Sequence, residues 1–231
     1  MDLLPQLAIV PLLLPNWLDP EFLLTSLGNW ALWGAAFIVF IECAIFPVLP
    51  GDSLLFAVGM FIANDAEIIH FGSLDKPAVL GISILVLVVA AVLGNVVGYW
   101  VGKKVSPWLF KPRPGLMGRI FSTKHLEQTH LFFERYGSKA LVMGRFVPFV
   151  RTFITMVAGA AGMSFRTFIT WTGIGAVLWA AGVTLLGFFL GRIDVIKNNI
   201  DLVLVVIVLV SVIPMAVEAI LARRRAVATK P

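Results

Sequence analysis

Long apolar runs set the pattern of this sequence, and polar residues fall between them or, at two places, inside them. Ala78–Gly102 and Thr167–Gly191 are each twenty-five residues without a charge. Each is long enough to cross a bilayer with some tilt. Leu202–Ala222 is a further span, kinked at Pro214 and stopped by Arg223, Arg224 and Arg225. Asn29–Phe46 and Ser53–Asn64 are apolar too, but Ile41–Asp52 interrupts them with Glu42, Pro47, Pro50, Gly51 and Asp52. A proline has no N–H and is disfavoured inside a helix, and Gly51 allows a sharp turn. One helix is expected to stop near Phe46 and the next to start near Asp52 or Ser53, either of which is a good N-cap. The second arm has twelve residues, about 18 Å of helix, against a hydrocarbon core of about 30 Å. The pair therefore reads as a re-entrant hairpin over residues 29–64.

A second interruption follows a hundred residues later. Gly144–Arg151 reads Gly-Arg-Phe-Val-Pro-Phe-Val-Arg between the apolar runs Ala140–Met143 and Thr152–Phe165. Aligning Pro47 with Pro148 places Pro50 opposite Arg151 and leaves Gly59 one position out of register with Gly159. The first break carries acids and the second arginines, a weak internal repeat with opposite charges. Helix interrupted at membrane depth is tolerated only where protein or a wet cavity shields its backbone. Charged residues there mark a functional site by default.

The expected organisation is an interfacial N-terminal segment (1–28), a first repeat (29–102: hairpin 29–64, span 78–102), a polar linker (103–139), a second repeat (140–191: hairpin 140–165, span 167–191), a last span (202–222) and a basic tail (223–231). Residues 1–28 are proline-punctuated with Asp2, Asp19 and Glu21; Pro20–Gly28 fits a short interfacial helix with Trp17 and Trp30 at headgroup level, and an unstructured tail fits equally well. No Lys or Arg precedes Lys76, so the basic region of a cleaved signal peptide is missing. The linker holds eight Lys or Arg against Glu127 and Glu134. Leu126, Leu131, Phe132 and Phe133 suggest an amphipathic helix on the membrane surface, with a solvated loop as the alternative. Gly94, Gly98 and Gly102 line one helix face and suit close helix packing, not nucleotide binding, since no strand precedes them.

Composition strengthens the membrane reading. Of 231 residues, 59 % are hydrophobic and 13 % charged, with mean hydropathy +0.96; soluble domains carry about 25 % charged residues. The net charge of +5 comes from basic residues beside apolar spans, which points to positive-inside bias and not to nucleic acid. The 103–139 loop and the C-terminus are then cytoplasmic, and the 64–76 and 192–201 loops lie outside. The first hairpin dips in from outside and the second from inside. The fold expected is thus an all-α polytopic membrane protein with two oppositely oriented re-entrant hairpins, about three full transmembrane helices and an amphipathic cytoplasmic helix, an inverted repeat of the kind many secondary transporters use.

If the hairpins meet near the midplane, Glu42, Asp52, Arg145 and Arg151 converge. Acid–arginine pairing would offset the cost of burying them. Arginine stays protonated, so a proton cycle has to run through Glu42 or Asp52. The guanidinium forks of Arg145 and Arg151 match the oxygens of a phosphate monoester. A purely structural ion-pair lock is the competing reading. His70, His125 and His130 are poorly spaced for one metal, and the single Cys43 excludes a multi-cysteine site and an internal disulfide; no metal or cofactor is expected. Ser53 has no histidine near it in sequence, and Cys43 reads as a small packing residue, so no enzyme chemistry is indicated. Tyr99 and Trp100 suit the cytoplasmic end of their span.

Glu42, Phe46-Pro47-Val-Leu-Pro50-Gly51-Asp52, then Gly144-Arg145-Phe146-Val-Pro148-Phe-Val-Arg151 and the small-residue run from Ala158 to Met163 resemble the DedA family, also called the SNARE-associated or VTT-domain superfamily. The resemblance covers about residues 29–190. It implies a membrane transporter with two facing re-entrant hairpins, and functional roles for Glu42, Asp52, Arg145 and Arg151. Bacterial members are implicated in recycling undecaprenyl phosphate across the inner membrane and in functions that depend on the proton-motive force; eukaryotic relatives resemble phospholipid scramblases. The expectation is a transporter of the bacterial inner membrane that moves undecaprenyl phosphate between leaflets with proton coupling. Arg145 and Arg151 bind phosphate, Glu42 and Asp52 take protons or hold the arginines, and Pro47, Pro50, Gly51 and Pro148 break the hairpins. Expected partners are a lipid phosphate and membrane lipids; self-association is left open. The alternatives are a proton-coupled exporter of small solutes or cations, a scramblase and a non-transporting envelope scaffold. A membrane-embedded phosphatase is poorly supported, with no nucleophile or metal cluster near the arginines.

Overall fold

The computed structural model describes residues 20–46, 49–64, 68–69, 71–109, 139–146 and 148–193. Its helices are α1 (Pro20–Leu27), α2 (Ala31–Ala44), α3 (Gly51–Ala63), α4 (Lys76–Leu109), α5 (Lys139–Met143), α6 (Pro148–Ala160) and α7 (Phe165–Leu190). Single 3-10 turns, Gly28–Trp30 and Gly144–Phe146, precede α2 and follow α5. No strand occurs among the described residues. Pro47, His70, the 110–138 part of the linker with His125 and His130, the 202–222 span, the tail and residues 1–19 lie outside the described residues.

Among the described residues three stretches are long and apolar enough to cross a membrane: Phe22–Ala44, Lys76–Val105 and Phe165–Leu190. The first includes a helix, α1, where a short one was expected over Pro20–Gly28. Helical structure runs on from α1 through the 3-10 turn into α2, with Gly28 at φ 50° in the left-handed region. Gly51–Ala63 and Val150–Ala160 are apolar but shorter.

The helix ends follow from local chemistry. α3 begins one residue earlier than expected, with Pro50 at its N-cap and no side-chain cap, so neither Asp52 nor Ser53 caps it. Asp52 instead stands in the first turn, where a carboxylate complements the helix dipole. Asn64 and Lys76 close the other end, donating to the carbonyls of Met60 and Ala63 at 3.1 Å each. Pro148 occupies the first position of α6, where its missing N–H costs nothing. α6 stops in a Schellman turn: Gly162, at φ 70°, donates to Gly159 O and Met163 donates to Ala158 O. Ser164 then caps α7 by accepting from the Thr167 N–H at 3.3 Å.

The chain divides into two compact units. The first comprises 1–35, 50–83 and 183–231, the second 36–49 and 84–182. In the first unit α3 is buried along almost its whole length and packs against α1 and the C-terminal part of α7. A Cβ on Gly59 would overlap the Thr184 carbonyl oxygen and lie 2.8 Å from the Phe188 nitrogen; one on Gly187 would overlap the Phe56 carbonyl oxygen. In the second unit a Cβ on Gly159 would overlap the Tyr99 carbonyl oxygen and lie 3.0 Å from the Lys103 nitrogen; one on Gly102 would overlap the Met156 carbonyl oxygen.

The two interlocks share their spacing. In each, a glycine of a short helix sits on O(i) and N(i+4) of a long helix. The long helix returns a glycine at i+3, onto the carbonyl three residues before the first glycine. The structural correspondence therefore pairs Gly59 with Gly159, where aligning the prolines leaves them one position apart. In apolar surroundings such helix pairs are held by close packing of small residues. The Gly94, Gly98 and Gly102 face divides between partners. Gly94 packs on Phe40 and Cys43 of α2, Gly98 on Ala44 of α2 and Thr155 of α6, and Gly102 on α6 alone.

The second unit has a core of Tyr99, Ala140, Leu141, Ile154, Ala158 and Phe168. Tyr99 is buried here and does not face lipid. Its hydroxyl donates to Met163 O at 2.5 Å, and its ring stacks on Phe168 at 4.5 Å. Trp100 is the exposed member of that pair, with Lys103 Nζ 5.1 Å from its ring centre.

Candidate functional site

The second unit gathers Glu42, Arg145 and Arg151. Glu42 stands in the last turn of α2, Arg145 in the 3-10 turn after α5, and Arg151 in the first turn of α6. Both broken segments thus end or begin helices where the charges sit. Arg151 Nη2 donates to Glu42 Oε1, with side chains 3 % and 0 % exposed. Thr152, the next residue, donates its hydroxyl to the Glu42 backbone carbonyl at 2.9 Å. That bond satisfies one of the carbonyls left open at the end of α2 and ties α6 to it.

Arg145 reaches the same place from the other side. Its Nη2 lies 3.7 Å from Cys43 Sγ, and the residue is 2 % exposed. Both guanidinium groups face the ring of Trp179 on α7, Arg151 at 4.6 Å and Arg145 at 5.4 Å from its centre. The π-face offers both cations an attractive contact without adding a charge. Among the described residues the cluster thus brings two guanidinium groups to one carboxylate in an interior closed to solvent. The planar forks suit phosphate or carboxylate oxygens.

Asp52 belongs to the other compact unit, partly buried in the first turn of α3. Pro50, Gly51 and Pro148 mark helix starts as the sequence implied. Sequence reasoning missed Trp179 and Thr152. A tryptophan in the middle of a charge-free span, away from the interfacial belt, was the available signal for the first. For the second it was a hydroxyl directly after Arg151. Cys43, read as a packing residue, does pack against Gly94 but also offers its sulfur to Arg145. Among the described residues no three His, Cys, Asp or Glu side chains lie together as metal ligands would.

The chain matches known proteins over most of its length. A family model described as the VTT domain covers residues 49–189. An uncharacterized membrane protein of Mycobacterium tuberculosis is 37 % identical over 210 residues, 89 % of this chain and 87 % of the relative. Protein DedA of Escherichia coli is 34 % identical over 206 residues, 88 % and 89 % of the two chains. Inner membrane protein YqjA of Escherichia coli is 34 % identical over 179 residues, 76 % and 74 %. No solved structure matches the chain. Its apolar helices, its VTT domain and these relatives together make it a membrane protein of the DedA family.

Proposed function

We propose that this chain is a transporter that moves a lipid phosphate, undecaprenyl phosphate, between the leaflets of the bacterial inner membrane, coupled to proton movement. One observation carries the reading: an arginine–carboxylate pair, buried with a second arginine, where two interrupted helices meet. A buried pair costs desolvation and is weak evidence of stabilisation by itself. It acquires a purpose if the partners exchange: phosphate takes Arg145 and Arg151, and Glu42, released, takes a proton. Asp52, in the first unit, is the second carboxylate of the proposal. No covalent chemistry is needed, so the protein is not an enzyme, and its partners are the lipid phosphate and the surrounding lipids.

The matched glycine interlocks support an inverted repeat. Each short helix of one broken segment locks onto the long helix that follows the other. On this reading the segments before α4 and α7 are re-entrant hairpins entering from opposite sides, and the basic C-terminus is cytoplasmic.

Reconstitution tests the proposal. Proteoliposomes carrying a long-chain polyprenyl phosphate in one leaflet should equalise it faster with the wild type than with Glu42→Gln/Arg151→Gln. That double variant removes both charges and leaves a hydrogen-bonding amide at each position. An inside-acid or inside-alkaline gradient should bias the wild type only. Equal transfer by wild type and double variant, both folded, would reduce the pair to a structural lock.

A further inference from the structure

Asn95 lies in the middle of the charge-free part of α4, 1 % exposed, and neither its amide nitrogen nor its amide oxygen has a hydrogen-bond partner. The hydroxyl of Thr172 on α7, also 1 % exposed, is in the same condition. Helix geometry relates the two residues through a shared ring stack. α4 and α6 run parallel, since Gly98 adjoins Thr155, and Lys103 adjoins Gly159. α6 turns back through residues 161–164 into α7, so α7 runs against α4. Tyr99 stacks on Phe168 between them. One turn back from Tyr99 is Asn95, and one turn on from Phe168 is Thr172, so each stands one turn from that stack on the face that carries it.

The arginine cluster reaches positions close in sequence to both residues. Arg145 touches Cys43, which packs on Gly94, the residue before Asn95. The Arg145 side chain also passes 3.2 Å from the position of a Cβ on Gly175, three residues after Thr172. All of these residues belong to the second unit.

A buried amide without a partner destabilises a fold, and a leucine of similar volume would pack there without that cost. We infer that Asn95 and Thr172 are the neutral part of the phosphate site, donating amide N–H and hydroxyl bonds to phosphate oxygens that the two guanidinium groups leave uncovered. A phosphate monoester offers more acceptor positions than two planar forks reach. Neutral donors fill them without burying another charge. This inference rests on the lipid-phosphate reading and adds to it the residues that discriminate the headgroup.

The test uses the purified full-length protein in detergent, with farnesyl phosphate as probe and farnesol as the control lacking phosphate. Asn95→Leu and Thr172→Val should each weaken farnesyl phosphate binding by about tenfold, the order expected for one hydrogen bond to a charged group. Farnesol binding should not change, and Tm should hold or rise. Affinity and Tm falling together would show a structural role and overturn the inference. So would wild-type affinity in both folded variants, with the wild type still preferring the phosphate. If Asn95→Leu does not fold, the near-isosteric Thr172→Val decides alone. A wild type that binds both probes equally brings down the phosphate reading itself, and the subsite with it.

Discussion

Arg151 and Glu42 stand 109 positions apart in the chain and share a hydrogen-bonded ion pair closed off from solvent. Removing Arg151 takes from the buried Glu42 carboxylate the cation it is bonded to, whereas replacing both removes that pair and leaves the charge of Arg145 in the cluster. Arg151→Ala should therefore destabilise the protein by about 3–5 kcal/mol, and Glu42→Gln/Arg151→Gln by less. Thermal unfolding of the purified variants in matched detergent checks the ordering. A double variant as unstable as the single would show that the pair, and not the stranded charge, sets the stability.

Trp179 holds both guanidinium groups on its ring. Trp179→Phe should keep part of that attraction and Trp179→Leu none, with a difference of about 1–2 kcal/mol in stability. Transfer in proteoliposomes should follow the same order. Equal behaviour of Phe and Leu would assign the residue to packing alone.

The glycine interlocks leave no room for a methyl group against backbone oxygen. Gly59→Ala and Gly159→Ala should each cost about 1–3 kcal/mol, and by similar amounts, because the two contacts have the same geometry. Gly173→Ala on α7, where nothing lies within 4 Å of the added atom, is the control and should be near neutral. Unfolding temperatures of the three variants give the comparison.

Tyr99 offers a cleaner separation of hydrogen bond from ring. Tyr99→Phe loses the bond to Met163 O and keeps the stack on Phe168, for about 1 kcal/mol. Tyr99→Ala empties a buried site and should cost about 3–5 kcal/mol. Similar losses for both would mean that the hydroxyl carries the contact.

Membrane sidedness can be read with one thiol. Cys43 is the single cysteine, buried, and can be replaced. A cysteine at Lys104 should then be protected from an impermeant thiol reagent in intact spheroplasts, and one at Arg192 labelled. The opposite labelling would invert the topology and leave the α2–α6 contact as it is.

Much of this protein is written in local sequence. Charge-free runs of twenty-five residues announce α4 and α7, because burying an apolar helix in lipid depends only on its own composition. Pro50, Gly51 and Pro148 announce helix ends, because a missing N–H or Cβ acts on the nearest turn. The candidate charges were legible for the same reason, as ionisable side chains in apolar surroundings. Three things were decided by the tertiary structure alone. The first is that Glu42 is the carboxylate that meets Arg151. The second is that the Gly94, Gly98 and Gly102 face serves two helices. The third is that Trp179 and Thr152 border the cluster. Each depends on how far one helix slides along another. A shift of one turn carries a side chain about 5.4 Å, more than the length of a hydrogen bond, and no residue's own chemistry specifies that shift.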